Sequence, residues 1–317
     1  MTIRYGIIST AQIVPRFAAG VRESKDGVIT AIASRSLDKA QQLAAELAIP
    51  TAYGSYQELY DDEDVDIVYV ATYNQGHYEA AKQALLARKH VLVEKPFTLD
   101  WDQAEELFEL ARAQNCFIME AQKALFLPIT RQVKQIIDEG RLGKVSYMRA
   151  LTAYPTAQHI SWFDSLAKGG GALYGSGSYP LQYMLHVTGT EVEEAAGTAL
   201  IASGTSDRQC DVNLLLTKEI QGSFFITTNF AAPSQLTIYG DQGQLVIPDF
   251  WKAQTATLTI GDHTEKIECP HQSEFVFEID HVNECLQKKL LASPIMTKEL
   301  TLQTIELTEK LYEQWLN

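Results

Sequence analysis

An apolar run, Val91-Leu92-Val93, ends in Glu94-Lys95-Pro96. Two opposite charges at the end of a buried stretch need a partner or a task. A lysine placed there can carry a proton to or from an alcohol or carbonyl oxygen. The alternative is a structural ion pair at a strand end, which adjacency alone does not exclude. Pro96 disfavours helical geometry at Lys95 and keeps it extended off the strand. The Lys95–Pro96 bond is expected to be cis, a form that X–Pro bonds adopt at tight, constrained turns.

A second group of residues could hold a phosphate. A dinucleotide loop reads G-x-G-x-x-G directly after the first strand. Here Ser9-Thr10-Ala11-Gln12-Ile13 fills that register, with Ser9 and Ala11 in place of the first two glycines. Small residues still admit a pyrophosphate, and a helix starting near Gln12 would aim its free N–H groups at it. Taken alone, the loop reads better as a plain strand-to-helix turn. At the end of the second run stand Ser34, Arg35 and Ser36, where an NAD site usually carries a carboxylate for the ribose. A guanidinium and hydroxyls suit a 2′-phosphate, so NADP is expected, with NAD as the second choice. The bland alternative pairs Arg35 with Asp38.

The elements that must position these groups follow from periodicity. Residues 3–8, 28–34, 65–72, 90–94 and 116–121 are apolar runs separated by stretches of helical spacing, such as Leu37, Ala40, Leu43 and Leu47. Asp100 with Gln103 three residues later resembles a helix start. Strands alternating with helices predict a doubly wound parallel sheet, the Rossmann pattern, over residues 1–122. After residue 122 the pattern changes to longer strands with Gly/Asp turns and two closing helices. Residues 123–317 are therefore read as one α/β domain with a large, mostly antiparallel sheet. Such a sheet, with helices enough for one face, leaves a face to cover, and a homo-oligomer is expected.

Bulk properties exclude several function classes. The 317 residues carry 26 Lys+Arg against 40 Asp+Glu, a net charge of −14 without a basic run. Nucleic acid and anionic membranes are poor partners for such a chain. No stretch approaches a membrane span, and "MTIRYGIISTAQIV" has no signal-peptide pattern, so a cytoplasmic protein is expected. The four cysteines, Cys116, Cys210, Cys269 and Cys285, have no metal-ligand spacing, and no metal is expected.

The chain resembles the glucose–fructose oxidoreductase / inositol 2-dehydrogenase family (Gfo/Idh/MocA). The resemblance rests on "GIISTAQIV", "VDIVYVATYNQGHYE", "VLVEKP", "FIMEAQKALFLP" and "GGGALYGSGSYPL", in that order and spacing. Within the family it is nearest the dimeric dihydrodiol dehydrogenase branch. The resemblance implies NAD(P), a sugar, polyol or diol substrate, and an acid/base role for Lys95 near the nicotinamide. It implies that Glu94 lies near the nicotinamide ribose, and that Thr72, Asn74 and His77 match positions at the edge of the cofactor cleft. His77 also reads as an ordinary helix-start residue.

Two departures from the family pattern stand out. The family signature after Gly169-Gly170-Gly171 has an Asp, then His or Tyr four residues later. This chain has Gly175 and Tyr179. Tyr179 is a candidate to assist proton transfer, or else it packs a wall. In "MEAQKALFLP", Lys123 and Leu125 stand where branch members often carry Trp and Arg. Lys123 either faces substrate or is a solvated helix-start lysine. His159, Trp162 and Phe163 either line a substrate pocket or anchor a long loop. The first reading is an oxidoreductase using Lys95 and Tyr179. The second, supported by the missing Asp and the altered loop, is a nucleotide-binding sensor or partner subunit of the same fold.

Overall fold

The computed structural model describes residues 1–155, 157 and 160–316. It divides into two compact units, Met1–Gln122 with Ser273–Leu302, and Lys123–Gln272 with Gln303–Asn317.

The first unit is built on strands β1 (Ile3–Ile8), β2 (Gly27–Ala33), β3 (Thr51–Tyr53), β4 (Ile67–Val70), β5 (His90–Glu94) and β6 (Ile118–Ala121). They form one sheet in the order β3-β2-β1-β4-β5-β6, every neighbouring pair parallel. This is the winding of a dinucleotide-binding sheet. All residues of β4 and β6 are buried, as strands covered on both faces must be. Between them run α1 (Val14–Glu23), α2 (Leu37–Glu46), α3 (Tyr56–Tyr60), α4 (His77–Leu86) and α5 (Trp101–Gln114). Asp100 Oδ1 accepts the Gln103 N–H at 2.9 Å and starts α5, as its spacing predicted.

The second unit contains α6 (Pro128–Asp138), β7 (Val145–Ala153), α7 (Ala172–Ser176), α8 (Ser178–Thr188), β8 (Val192–Ile201), β9 (Asp207–Leu216) and β10 (Ile220–Thr227). The strands β11 (Gln235–Gly240), β12 (Gly243–Pro248), β13 (Thr255–Ile260) and β14 (His263–Glu268) follow. They join in one eight-stranded sheet, β14-β13-β12-β11-β7-β10-β9-β8, in which only β7 and β10 run parallel. The fold class is thus the one expected. Alternation divides β7 into Met148, Ala150 and Thr152 on the buried face and Tyr147, Arg149 and Leu151 on the other. On that outer face Tyr147 stacks on Tyr239 and Phe225 on Phe230.

A single cut after residue 122 assigns α9 (Val276–Gln287) to the second domain, but Ser273–Leu302 clusters with the first unit. The reason is close packing at a glycine. A Cβ on Gly20 of α1 would lie 2.6 Å from the Cβ of Phe275, so only glycine lets the segment approach this far. Tyr5 Oη donates to Asn283 Oδ1 at 2.7 Å and Ser24 Oγ to Asp280 Oδ1 at 2.7 Å, fixing it further. The last helix, α10 (Lys298–Leu316), closes the chain.

Candidate active site

The turn after β5 is braced from three sides. Tyr69 on β4 donates to Glu94 Oε1 at 2.5 Å, and its ring lies flat on Phe17 of α1, centroids 3.6 Å apart. Glu94 is therefore held by a side chain that is itself locked in the core. The Lys95–Pro96 peptide is cis, as expected. The Pro96 carbonyl faces His77 Nδ1 at 2.8 Å, while His77 Nε2 faces the Thr72 carbonyl at 3.1 Å. His77 is 1% exposed, and burial pushes its pKa down. His77 lies between the end of β4 and the Lys95 turn, and the single N–H of its neutral ring donates to one of these two carbonyls.

The third brace is Glu120, which the sequence reading passed over inside "MEA". Its buried carboxylate accepts the Phe97 N–H at 3.3 Å and the Thr301 hydroxyl at 3.0 Å. A buried acid next to a lysine-bearing turn was the signal for it. Lys95 thus projects, half-buried, from a turn whose backbone is fixed by a histidine, a glutamate and a tyrosine–glutamate pair.

At the end of β1, Ser9 adopts φ 95°, the left-handed region that glycine occupies at low cost. Its N–H donates to the Ala33 carbonyl at 2.9 Å. Thr10, Ala11 and Gln12 follow, and α1 starts at Val14, slightly later than expected, with Ile13 at its cap. No side chain caps that end and no acid sits in its first turn. An uncapped helix start behind small residues fits a pyrophosphate. Replacing Ser9 by glycine should remove strain and stabilise the protein by about 1 kcal/mol, the lower end for a residue held in this region. Urea titration would read it as a higher midpoint at unchanged slope, and a lower midpoint would mean that the serine side chain stabilises the loop.

At the end of β2, Ser34 is buried and its Oγ accepts the Ser36 N–H at 3.3 Å. Arg35 is exposed beside Tyr56, and among the described residues no ion pair joins it to Asp38. Thr72 and the buried Asn74 lie after β4.

In the second unit, Lys123 and Tyr179 meet. Lys123 is only 5% exposed, so it is not a solvated lysine. Its Nζ donates to Tyr179 Oη at 3.2 Å and lies 5.3 Å from the ring centroid. Tyr179 sits in the first turn of α8, its ring 6.3 Å from that of Trp251. The glycines before it are set by contact. A Cβ on Gly170 would strike the Phe163 carbonyl oxygen at 2.1 Å, and one on Gly171, at φ 121°, Asp207 Oδ1 at 2.1 Å. Asp207, fully buried, accepts the Leu173 N–H at 2.9 Å and the Tyr312 hydroxyl at 2.5 Å. It thus anchors the start of the helical stretch that carries Tyr179. Burial pushes the Asp207 carboxyl up, against these hydrogen bonds. Phe163 is buried, and the Ser206 hydroxyl donates to its backbone carbonyl at 2.5 Å, which ties the loop to the start of β9. Trp162 is half-buried, and His159 lies outside the described residues.

The place of the absent Asp is filled. A Cβ on Gly175 would lie 2.7 Å from Tyr154 Oη, the buried end of a residue just past β7. No group of His, Cys, Asp and Glu suited to a metal occurs among the described residues, and no helix is long and apolar enough to cross a membrane.

Comparison with known proteins agrees with this layout. Residues 3–122 match the model of the oxidoreductase family with an NAD-binding Rossmann fold, and residues 130–246 match the Gfo/Idh/MocA C-terminal domain. The chain is 31% identical to the trans-1,2-dihydrobenzene-1,2-diol dehydrogenase of Xenopus laevis over 94% of its length and 93% of the relative's. Its mouse counterpart is 29% identical over 93% and 92%. Among solved structures, a 3-ketoreductase from Actinomadura kijaniata in complex with NADP and TDP-benzene superposes with a TM-score of 0.88 at 26% identity. That match covers 99% of this chain and 98% of the other. With both of its domains matched, the chain belongs to the Gfo/Idh/MocA family of NAD(P)-binding oxidoreductases.

Proposed function

We propose that the protein is an NADP(H)-dependent oxidoreductase acting on the hydroxyl or carbonyl of a sugar, polyol or diol, with Lys95 as main acid/base and Tyr179 assisting. The observation that carries this reading is the triple brace on the Lys95 turn, which holds one amine at the end of a parallel strand. Ligands of such sheets bind outside the carboxyl ends of the strands. When bound, the nicotinamide supplies or accepts the hydride. The chain's own task is the proton, which Lys95 moves to or from the substrate oxygen.

Relatives support the assignment. The ketoreductase has been solved as variants with one lysine replaced by alanine or glutamate and one tyrosine replaced by phenylalanine. Those two residues have the same sequence separation as Lys95 and Tyr179. Substrate binding by Lys123, His159, Trp162 and Phe163 belongs to this proposal. The missing carboxylate at Gly175 and the altered nucleotide loop favour a sensor or partner subunit instead. A turnover screen over sugars, inositols and diols with each cofactor separates the two readings, because a sensor would bind cofactor without turnover.

The preference for NADP rests on Arg35, exposed at the end of β2 next to Ser34. Arg35→Ala should weaken NADPH by about 1.5–3 kcal/mol, the value of a charged hydrogen bond, and leave NADH nearly unchanged. Equal losses for both cofactors in a binding titration would sink the preference.

We also propose a homodimer through the outer face of the eight-stranded sheet. Phe230, Tyr239 and Leu200 are 47%, 38% and 60% exposed on that face or its rim, an apolar content that a second copy would cover. Light scattering at micromolar concentration should give twice the chain mass, and a monomer mass would count against it. The four cysteines are free, which suits the reducing cytoplasm.

A further inference from the structure

We infer that Lys123 is a positioning residue that holds the Tyr179 hydroxyl and stabilises its phenolate, so that Tyr179 can release and recover a proton. The inference rests on the proposed part of Tyr179 in the reaction. It concerns a residue that departs from the branch pattern, in which this place is often a tryptophan.

The geometry is specific. Lys123 Nζ lies 3.2 Å from Tyr179 Oη with only 5% of the residue exposed. An ammonium donates and does not accept, so it addresses the lone pairs of the tyrosine oxygen, and the hydroxyl proton is directed to another group. A positive charge at this distance favours the phenolate over the phenol, more so where water is excluded. Lys123 lies in a short helical turn, Lys123–Leu125, and Ala124 and Leu125 beside it are buried, so its backbone cannot drift. The Thr130 hydroxyl donates to the Ala124 carbonyl at 2.6 Å and fixes the turn to α6.

In the reducing direction the balance is as follows. The hydride adds to the carbonyl carbon, the C=O π pair moves onto oxygen, Lys95 gives that oxygen its proton, and Tyr179 Oη assists by passing its own proton to the Lys95 amine. The phenolate left behind faces Lys123 Nζ and is reprotonated from solvent. In the oxidising direction each transfer reverses. A carboxylate at position 175 would place negative charge near this phenolate, whereas the chain has glycine there and a cation on the tyrosine instead.

Among the described residues, other ionisable groups lie on the elements around the pair. Lys252 and Asp249, flanking Trp251, pair with each other at 3.6 Å. On α6, Lys134 pairs with Asp138, and Arg131 is exposed. Tyr183 and His186 lie further along α8, where burial pushes Tyr183 up and His186 down to about 4, and Tyr174 stacks on Tyr312.

The test is an ultraviolet titration of tyrosinate in the full-length protein, which needs no substrate. Of the 14 tyrosines, the component lost in Tyr179→Phe is that of Tyr179. Lys123→Met, which keeps the apolar stem, should move that component to higher pH by about 1–3 units, the effect of one opposite charge. Lys123→Arg should largely keep it in place. With a substrate in hand, Lys123→Met should lower kcat more than tenfold, beyond whatever KM change follows from its proposed substrate contact, and shift the matching limb of the pH profile in the same direction. An unmoved Tyr179 titration in folded Lys123→Met overturns the inference. A moved titration with unchanged kcat confirms the pairing but overturns its service to the reaction, and with it the part assigned to Tyr179.

Discussion

Replacing Lys95 by methionine should lower turnover by about 10²–10⁴-fold, the contribution of a positioned general acid/base, and leave NADPH binding largely intact. The turn around Lys95 makes the experiment clean. His77, Glu120 and the Tyr69–Glu94 pair hold the backbone and its neighbours through contacts to the Pro96 carbonyl, the Phe97 N–H and Glu94. Methionine preserves the apolar stem, so an unchanged melting temperature is expected and the loss reports on proton transfer. Tyr179→Phe should cost less if the tyrosine assists, and about as much if it is the donor. In the double variant the losses should not add, because two groups on one proton path fail together. Turnover unaffected by Lys95→Met, with any confirmed substrate, would overturn the mechanism and favour the sensor reading.

What the sequence showed and what it hid have physical causes. The parallel sheet was legible because strands covered on both faces read as unbroken apolar runs, and β4 and β6 are buried throughout. The Lys95 turn was legible because charges directly after such a run are unusual. The return of Ser273–Leu302 to the first unit was not legible. It depends on a glycine in α1 that lets Phe275 approach, a tertiary contact with no local signature. The contacts of His77 were not legible either, since its ring nitrogens face the carbonyls of Pro96, 19 residues on, and of Thr72 before the helix. Lys123 and Tyr179 stand 56 residues apart, and nothing in either neighbourhood announces that they touch. Phe163 and Asp207 show the same limit. Nothing before the glycine run announces that Gly170 packs on the Phe163 backbone, and a lone acid at a strand start gives no hint that it caps the Gly171–Leu173 turn.

Restoring the family's carboxylate by Gly175→Asp should harm this protein. The glycine is matched to Tyr154, whose buried Oη occupies the space 2.7 Å from where the new Cβ would be. Tyr154 is held by its place just past β7, where its N–H donates to the Thr227 carbonyl at 3.0 Å, so the ring cannot simply step aside. Overfilling a packed site of this kind costs about 1–3 kcal/mol. The helical turn that must shift to relieve it is the one leading into Tyr179, so turnover should fall together with stability. Gly175→Ala isolates the steric part, since it adds the same Cβ without charge, and should be destabilising by a similar amount. Tyr154→Phe removes only the offending oxygen and leaves the next ring atom, Cζ, 3.8 Å from that Cβ, an ordinary contact. The double variant Gly175→Asp/Tyr154→Phe should therefore recover most of the stability lost by Gly175→Asp, a coupling that a thermal or urea double-mutant cycle reads directly. If Gly175→Asp instead folds like the parent and turns over faster, Tyr154 yields readily, and the glycine is a loss of function that this chain has not compensated.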